Sequence, residues 1–177
     1  MRNLPAPLFR KRYRIPSARL AGWDYRRPGM YFVTICTLWR DRCLGEVAGG
    51  EASRSPYGEI VAREWQRIPG LHPRVELDGW IVMPDHFHGI LILRPVLEAA
   101  ATPLGTILGT FKSKSTKGVR ALGHRGFAWQ DRFHDHILET FEELEQARKY
   151  IRENPQRWEA KRDASVTSPF GPRATVP

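Results

Sequence analysis

Apolar residues along this chain repeat with either strand or helix spacing, and the switches between the two mark out its elements. Residues 30–37, Met-Tyr-Phe-Val-Thr-Ile-Cys-Thr, are aromatic and β-branched, which suits a pleated and largely buried strand. Ser55-Pro56 has the form of a helix N-cap followed by proline at the first helical position. Ile60, Val61, Glu64, Trp65 and Ile68 follow at near-helical spacing, so a helix is predicted to end near Pro69-Gly70. Residues 75–83 and 87–93 read as two strands joined across Pro84-Asp85, close enough in sequence to pair antiparallel. Thr102-Pro103 repeats the cap-and-proline signal, and Leu104, Ile107, Leu108 and Phe111 supply the apolar stripe of a second helix. A last strand is predicted over 133–138 and a final helix over 141–153.

The order strand, helix, strand, strand, helix, strand, helix is that of an α+β, ferredoxin-like antiparallel sheet built from split β-α-β units. The additional C-terminal helix carries a tyrosine, Tyr150. The chain has 177 residues, enough for one core, and no internal repeat is visible. The expected organisation is a basic arm over 1–24, one folded domain over 25–158 and a flexible tail over 159–177, where Ala, Ser, Thr and Pro dominate. The arm carries Arg2, Arg10, Lys11, Arg12, Arg14 and Arg19 against Asp24, with prolines at 5, 7 and 16 interrupting any helix.

Charge points to a partner. A formal net charge of +9 and a sequence pI near 10.1 favour a polyanion, because lysine and arginine release condensed counterions when they meet phosphates. A solubilising cationic surface is the plainer alternative. Lys112, Lys114 and Lys117 lie toward the end of the second predicted helix, where they complement its dipole and are equally suited to phosphate contact. Cys36 and Cys43 are the only cysteines and form neither a disulfide framework nor a zinc ribbon. No run approaches the ~20 apolar residues of a membrane span, and the N-terminus lacks the apolar centre of a secretory signal, so a cytoplasmic protein is expected.

The chemistry concentrates in two short segments. In Pro84-Asp85-His86-Phe87-His88, strand alternation puts His86 and His88 on one face with Phe87 on the other, so the imidazoles are able to share a cation. A hydrogen-bonded core role is the alternative for either ring alone; for the pair, burying both without partners for their nitrogens is costly. On the final helix, Phe141, Leu144, Ala147 and Ile151 mark the apolar stripe. At ~100° per residue Tyr150 lies about 110° from the stripe's centre and Asn154 about 40° from Tyr150, so both lie on one flank. A tyrosine on the amphipathic rim and an asparagine ending the helix before Pro155 are the plainer readings. A phenol with an ordinary pKa of ~10 is a poor nucleophile unless its proton is removed or the charge it generates is offset, and a cation does the latter. Imidazole nitrogens with an amide oxygen suit manganese, and magnesium where abundance outweighs preference. A second pair, His134 and His136, is patterned the same way, and the residues alone do not rank the two. His136, with neighbouring Arg132 and Trp129, is also suited to contact nucleic acid by charge and by base stacking.

At these residues the chain resembles the HUH single-tyrosine transposases, and among them the REP-associated tyrosine transposases. The matching pieces are Tyr31-Phe32-Val33-Thr34-Ile35-Cys36-Thr37, Trp80-Ile81-Val82-Met83-Pro84-Asp85-His86-Phe87-His88, Phe111-Lys112-Ser113, Trp129-Gln130 with Phe133-His134-Asp135-His136, and Tyr150-Ile151-Arg152-Glu153-Asn154-Pro155, in the family's order over residues 25–158. The resemblance implies His86 and His88 as ligands of Mg2+ or Mn2+, Asn154 as the third, and Tyr150 as nucleophile, and it ranks the first histidine pair above the second. It implies cleavage and rejoining of single-stranded DNA through a 5′-phosphotyrosine and a free 3′-hydroxyl, hairpins of repetitive extragenic palindromes as substrate, a monomer in preference to the dimer of insertion-sequence relatives, and association with the nucleoid. The arginine-rich N-terminus and the Pro-rich tail depart from a short family member. Two other readings remain: a non-catalytic nucleic-acid-binding protein on the same fold, and a small-molecule metal hydrolase using water.

Overall fold

The structure, a computed structural model, describes residues 22–97 and 101–166. Arg10, Lys11, Arg12 and Arg14 of the expected basic arm lie outside the described residues, as does the end of the chain from residue 167. Strands β1 (Gly29–Cys36), β4 (Val75–Met83), β5 (His86–Leu93) and β6 (His134–Leu138) form one antiparallel sheet in the order β4-β5-β1-β6. Each β-α-β unit is split by a strand of the other, as the predicted ferredoxin-like class requires. Between β1 and helix α1 (Pro56–Gln66) the chain inserts a hairpin the sequence reading did not anticipate, β2 (Gly45–Ala48) and β3 (Glu51–Arg54). Its four-residue strands are mostly polar and give little alternation to read. Gly49 and Gly50, both at positive φ, make its turn.

Local signals place most elements where expected. Ser55 caps α1: its hydroxyl accepts from the Gly58 amide at 3.2 Å and donates to the Cys43 carbonyl at 2.7 Å. The helix ends at Gln66, and the predicted stop at Pro69-Gly70 falls inside a separate turn, α2 (Ile68–Leu71). Helix α3 (Leu104–Ala121) starts one residue later than its cap signal implied, with Pro103 at the N-cap and no side-chain cap from Thr102. β4 and β5 meet through the two-residue turn Pro84-Asp85 with Met83 opposite His86.

The sheet is buried on both faces. Tyr31, Val33, Ile35, Phe87, Leu91 and Leu93 face α1 and α3, where Trp65, Leu104, Ile107, Leu108 and Phe111 complete the larger core. On the opposite face Ile90 and Leu138 pack under Leu144, Ala147 and Ile151 of helix α4 (Phe141–Val166), with Met30, Phe32 and Ile81 at the margin. The Arg148 guanidinium ties α4 to β4, donating from Nε to Asp78 Oδ1 at 2.8 Å and from a second nitrogen to Oδ2. This bond holds the Asp78 carboxyl below its usual range.

Helix α4 corrects two expectations. It passes through Pro155 and continues to Val166, so residues 159–166 are helical and not part of a flexible tail. Proline lacks the N–H that would return to the Ile151 carbonyl, and its ring crowds that carbonyl, which is why the sequence reading stopped the helix at residue 153. Tertiary contacts override that cost. Glu159 accepts from the amides of Gly49 and Gly50 at 3.2 and 2.6 Å, and an Arg162 nitrogen donates to the Val47 carbonyl at 3.3 Å, so the β2–β3 hairpin holds the C-terminal half of the helix.

A close approach between β5 and Trp65 sets a stability test. A Cβ at Gly89 would stand 2.4 Å from Trp65 Cζ2, whereas one at Gly109, exposed on α3, would meet nothing within 4 Å. Gly89→Ala is expected to lower unfolding free energy by about 1–3 kcal/mol, and Gly109→Ala to raise it by about 0.5–1 kcal/mol, both read from urea midpoints at unchanged slope.

Candidate active site

β5 positions the histidines. It is an interior strand, so its backbone is hydrogen-bonded on both edges, and Cys36 lies opposite His86 while Thr34 lies opposite both His88 and His134. Residues in register share a face, and this is the face that α4 covers. His86 and His88 are both buried, with ring centroids 4.6 Å apart and nearly perpendicular planes.

Each imidazole is oriented by a fixed partner. His86 Nδ1 lies 2.6 Å from Asp85 Oδ1, and because a carboxylate only accepts, Nδ1 donates and the lone pair of the neutral ring falls to Nε2. Asp85 is itself pinned: its Oδ2 pairs with Arg40 Nε at 3.1 Å, and its carbonyl accepts from the Thr37 amide and hydroxyl at 3.0 and 2.9 Å. His88 Nδ1 lies 2.8 Å from Thr34 Oγ1, while His88 Nε2 is buried with no hydrogen-bond partner. Burial, with smaller contributions from His86 and Arg40, drives the His88 pKa down to about 3, so the ring is neutral at physiological pH. A buried polar nitrogen without a partner costs about 1–3 kcal/mol, and a cation accepting its lone pair would remove that cost. The donor set therefore fits a divalent metal.

Helix α4 brings the other two residues to the same place. The Tyr150 ring stands edge-on to His88 at 5.3 Å and to Phe32 at 5.8 Å, and Phe32 stacks on His88 at 5.3 Å. Tyr150 is 37% exposed and Asn154, one turn on, is 6% exposed. Because the helix continues, Asn154 is an interior helical residue and not a terminus. Tyr150, Asn154, His86 and His88 all line one cavity of about 700 Å³.

The remaining predicted residues divide. His134 also lines this cavity, and His136, exposed on β6, lies opposite Phe32 on the same sheet face. The two histidine pairs are thus neighbours. Arg132, just before β6, is exposed. Trp129 is 6% exposed, packed among Phe111 and Phe127 with its indole N–H donating to Ser115 Oγ at 3.0 Å. It is a core residue and has no face free to stack on a base. Lys112 donates to the carbonyls of Gln130 and Asp131 at 2.6 and 3.1 Å, which ties down the segment before β6 and leaves it little freedom for phosphate. Lys114 and Lys117 are exposed, but α3 covers the sheet face opposite the histidines, and neither lines the cavity.

The sequence reading gave no role to the cavity's other cations, Arg40, Arg42, Arg157, Lys161 and Arg162, or to Trp158. Arg40 and Trp39 both have φ of 57°, a left-handed conformation that costs non-glycine residues about 1–3 kcal/mol each. Arg40 is held there by Asp85 and by Cys36, whose sulfur accepts at 2.8 Å. Outside the cavity lining, Asp41, Cys43 and His124 hold ligand-type atoms within 4.8 Å of one another, with His124 Nε2 at 2.7 Å from Asp41 Oδ2. Burial and the Asp41 carboxylate push the Cys43 thiol up to about 12. No helix among the described residues is long and apolar enough to cross a membrane.

Comparison with known proteins places the fold. No protein-family model matches the chain. An uncharacterized protein of Haemophilus influenzae is 31% identical over 160 residues, covering 81% of this chain and 89% of that one. A REP-associated tyrosine transposase solved bound to a REP hairpin matches with a TM-score of 0.56 and 20% identity, over 84% of this chain and 74% of that one. A protein of Deinococcus radiodurans R1, classed provisionally as a transposase, matches with a TM-score of 0.50 and 17% identity, over 77% of this chain and 96% of that one. Both likenesses are of fold, the α+β antiparallel-sheet architecture that the sequence motifs led to.

The buried His88 ring sets a pH dependence for the metal-free protein. Its folded pKa of about 3 lies below the ordinary 6.5, so between those values the unfolded chain binds a proton that the folded chain refuses. Stability is therefore full above pH 6.5 and is lost as pH falls toward 3. With chelator present, urea midpoints are expected to fall over that range, and His88→Asn to flatten the fall; an unchanged profile would contradict the burial argument.

Proposed function

As the chain belongs to one family with the Haemophilus influenzae protein and shares the fold of a REP-associated tyrosine transposase, we propose that it is a metal-dependent single-strand DNA endonuclease and strand transferase. One observation carries the reading: a tyrosine ring lies edge-on to one of two paired, buried imidazoles, in a cavity rich in arginine. Tyr150 is the nucleophile. His86, His88 and Asn154 would hold Mg2+ or Mn2+, which when bound polarises a non-bridging oxygen of the scissile phosphate and offsets charge in the transition state.

The chain's own residues do the rest. The Tyr150 oxygen forms a bond to phosphorus as the bond from phosphorus to the 3′-oxygen breaks. The phenolic proton is released, the departing 3′-oxygen takes one up, and the products are a 5′-phosphotyrosine and a free 3′-hydroxyl. Reversal rejoins a strand with no nucleotide cofactor. Asp85 and Thr34 orient the imidazoles, and Arg40 fixes Asp85. Hairpin DNA of the repetitive extragenic palindrome type is the proposed substrate, by likeness to the protein solved with a REP hairpin. Lys114, Lys117, Arg132 and His136, with Arg10, Lys11, Arg12 and Arg14 of the N-terminal segment, are the proposed outlying DNA contacts. Tyr150, Asn154 and both histidines line one cavity, so the proposed tyrosine acts on its own chain's site, and a monomer is preferred to a dimer by the family resemblance. A nucleoid-associated cytoplasmic protein follows from this substrate.

Two variants test the assignment. With labelled hairpin DNA and Mn2+, denaturing gels of wild-type protein should show a covalent adduct that disappears with chelator. Tyr150→Phe should bind the hairpin within about threefold of wild type and form no adduct; an adduct in that variant would remove Tyr150 as nucleophile. His86→Ala should lower cleavage by about 10–100-fold at a given metal concentration.

A further inference from the structure

The cavity beside the histidines carries more positive charge than its internal ion pairs neutralise. Of its lining cations, Arg40 is paired with Asp85, Arg157 with Glu153 and Arg162 with Glu159. Arg42 and Lys161 have no carboxylate partner among the described residues. Both are exposed, and they come from different elements: Arg42 from the segment between β1 and β2, Lys161 from the stretch of α4 beyond Pro155. Trp158 lies between Arg42 and His86. Its ring lies 5.5 Å from the His86 ring and 5.3 Å from the Arg42 guanidinium carbon, and Lys161 follows it by three residues, on the same side of the helix.

This wall is built and not incidental. Stacking on the indole restrains the Arg42 guanidinium, which lowers the cost of fixing it on a ligand. The Glu159 contacts to Gly49 and Gly50 hold the helical stretch that bears Trp158 and Lys161. Two cations without carboxylate partners in the same cavity lining, Arg42 stacked on the ring that neighbours His86 and Lys161 three residues beyond that ring, suit an anion that arrives with the substrate. Arginine supplies a planar fork for phosphate oxygens and lysine a point charge.

Resting on the reading proposed above, we infer that Arg42 and Lys161, backed by Trp158, form a subsite for the phosphodiester adjacent to the scissile one. The ligand is the sugar-phosphate backbone of the flanking single strand. The subsite fixes which phosphate of that strand reaches Tyr150, and contributes affinity without reading bases.

The test measures binding in a Tyr150→Phe background, so that no strand is cut, by fluorescence anisotropy of a labelled hairpin with single-stranded flanks at several salt concentrations. Arg42→Gln and Lys161→Gln are each expected to weaken binding about three- to tenfold and to reduce the slope of log affinity against log salt by about 0.7, the value for one phosphate contact on a single strand. Arg94→Gln, which removes a cation already paired with Glu76, serves as control and should leave the slope unchanged. Trimming one flank back to the scissile phosphate should abolish the difference between parent and variants, and trimming the other should not. Binding by the parent with the same slope in both variants overturns the subsite while leaving the nuclease reading intact. A parent that binds no single strand overturns both.

Discussion

The site depends on β5 being an interior strand whose two faces answer to different layers. Its period of two sends Phe87, Gly89 and Leu91 into the core under α1 and α3, and sends His86, His88 and Ile90 toward α4. A shift of one residue in its register would reverse both sets at once, burying imidazoles under Trp65 and exposing Phe87. The tight turn at Pro84-Asp85 fixes that register, and Thr37 and Leu44 hold the turn through backbone bonds. The histidine geometry is therefore inherited from the fold's hydrophobic pattern.

Around that strand, the polar groups form a graded series. Asp85 is buried and bonded on both carboxylate oxygens; His86 has one nitrogen engaged; His88 has one nitrogen engaged and the other buried without a partner. Among these three side chains, unsatisfied capacity thus concentrates at one buried atom, His88 Nε2, on the ring that meets Tyr150. Backbone strain lies close by, in the left-handed Trp39 and Arg40, and Asp85 and Cys36 offset it by bonding Arg40. Trp39, at 88% exposure, contributes no packing to offset that strain.

Much of this was legible in the sequence, and the gaps have physical causes. β4 is read at its observed boundaries and β1 and β5 to within one residue, because their apolar runs are long and their turns carry distinctive residues. The flank position of Tyr150 and Asn154 also survives, since helical spacing fixes it. The β2–β3 hairpin is not legible because polar four-residue strands have no hydrophobic alternation. The continuation of α4 is hidden by Pro155, whose local preference is outweighed by bonds to a hairpin about a hundred residues earlier. Trp129 and Lys112 were read by residue type as nucleic-acid contacts, but type does not report burial, and both serve the core and its loops. Arg42 and Trp158 had no signal at all, since their pairing exists only in three dimensions.

No cross-link joins α4, which carries the phenol, to β5, which carries the imidazoles; they meet because α4 lies on the sheet. Its seat consists of a few small or branched apolar side chains, Leu144, Ala147 and Ile151, and the Arg148 fork on Asp78. The spacing between the Tyr150 phenol and the two imidazoles is thus a packing dimension, set by side-chain volume at positions outside the cavity lining. On the proposed reading, selection acting on those volumes has a way to alter turnover while every reacting group stays the same.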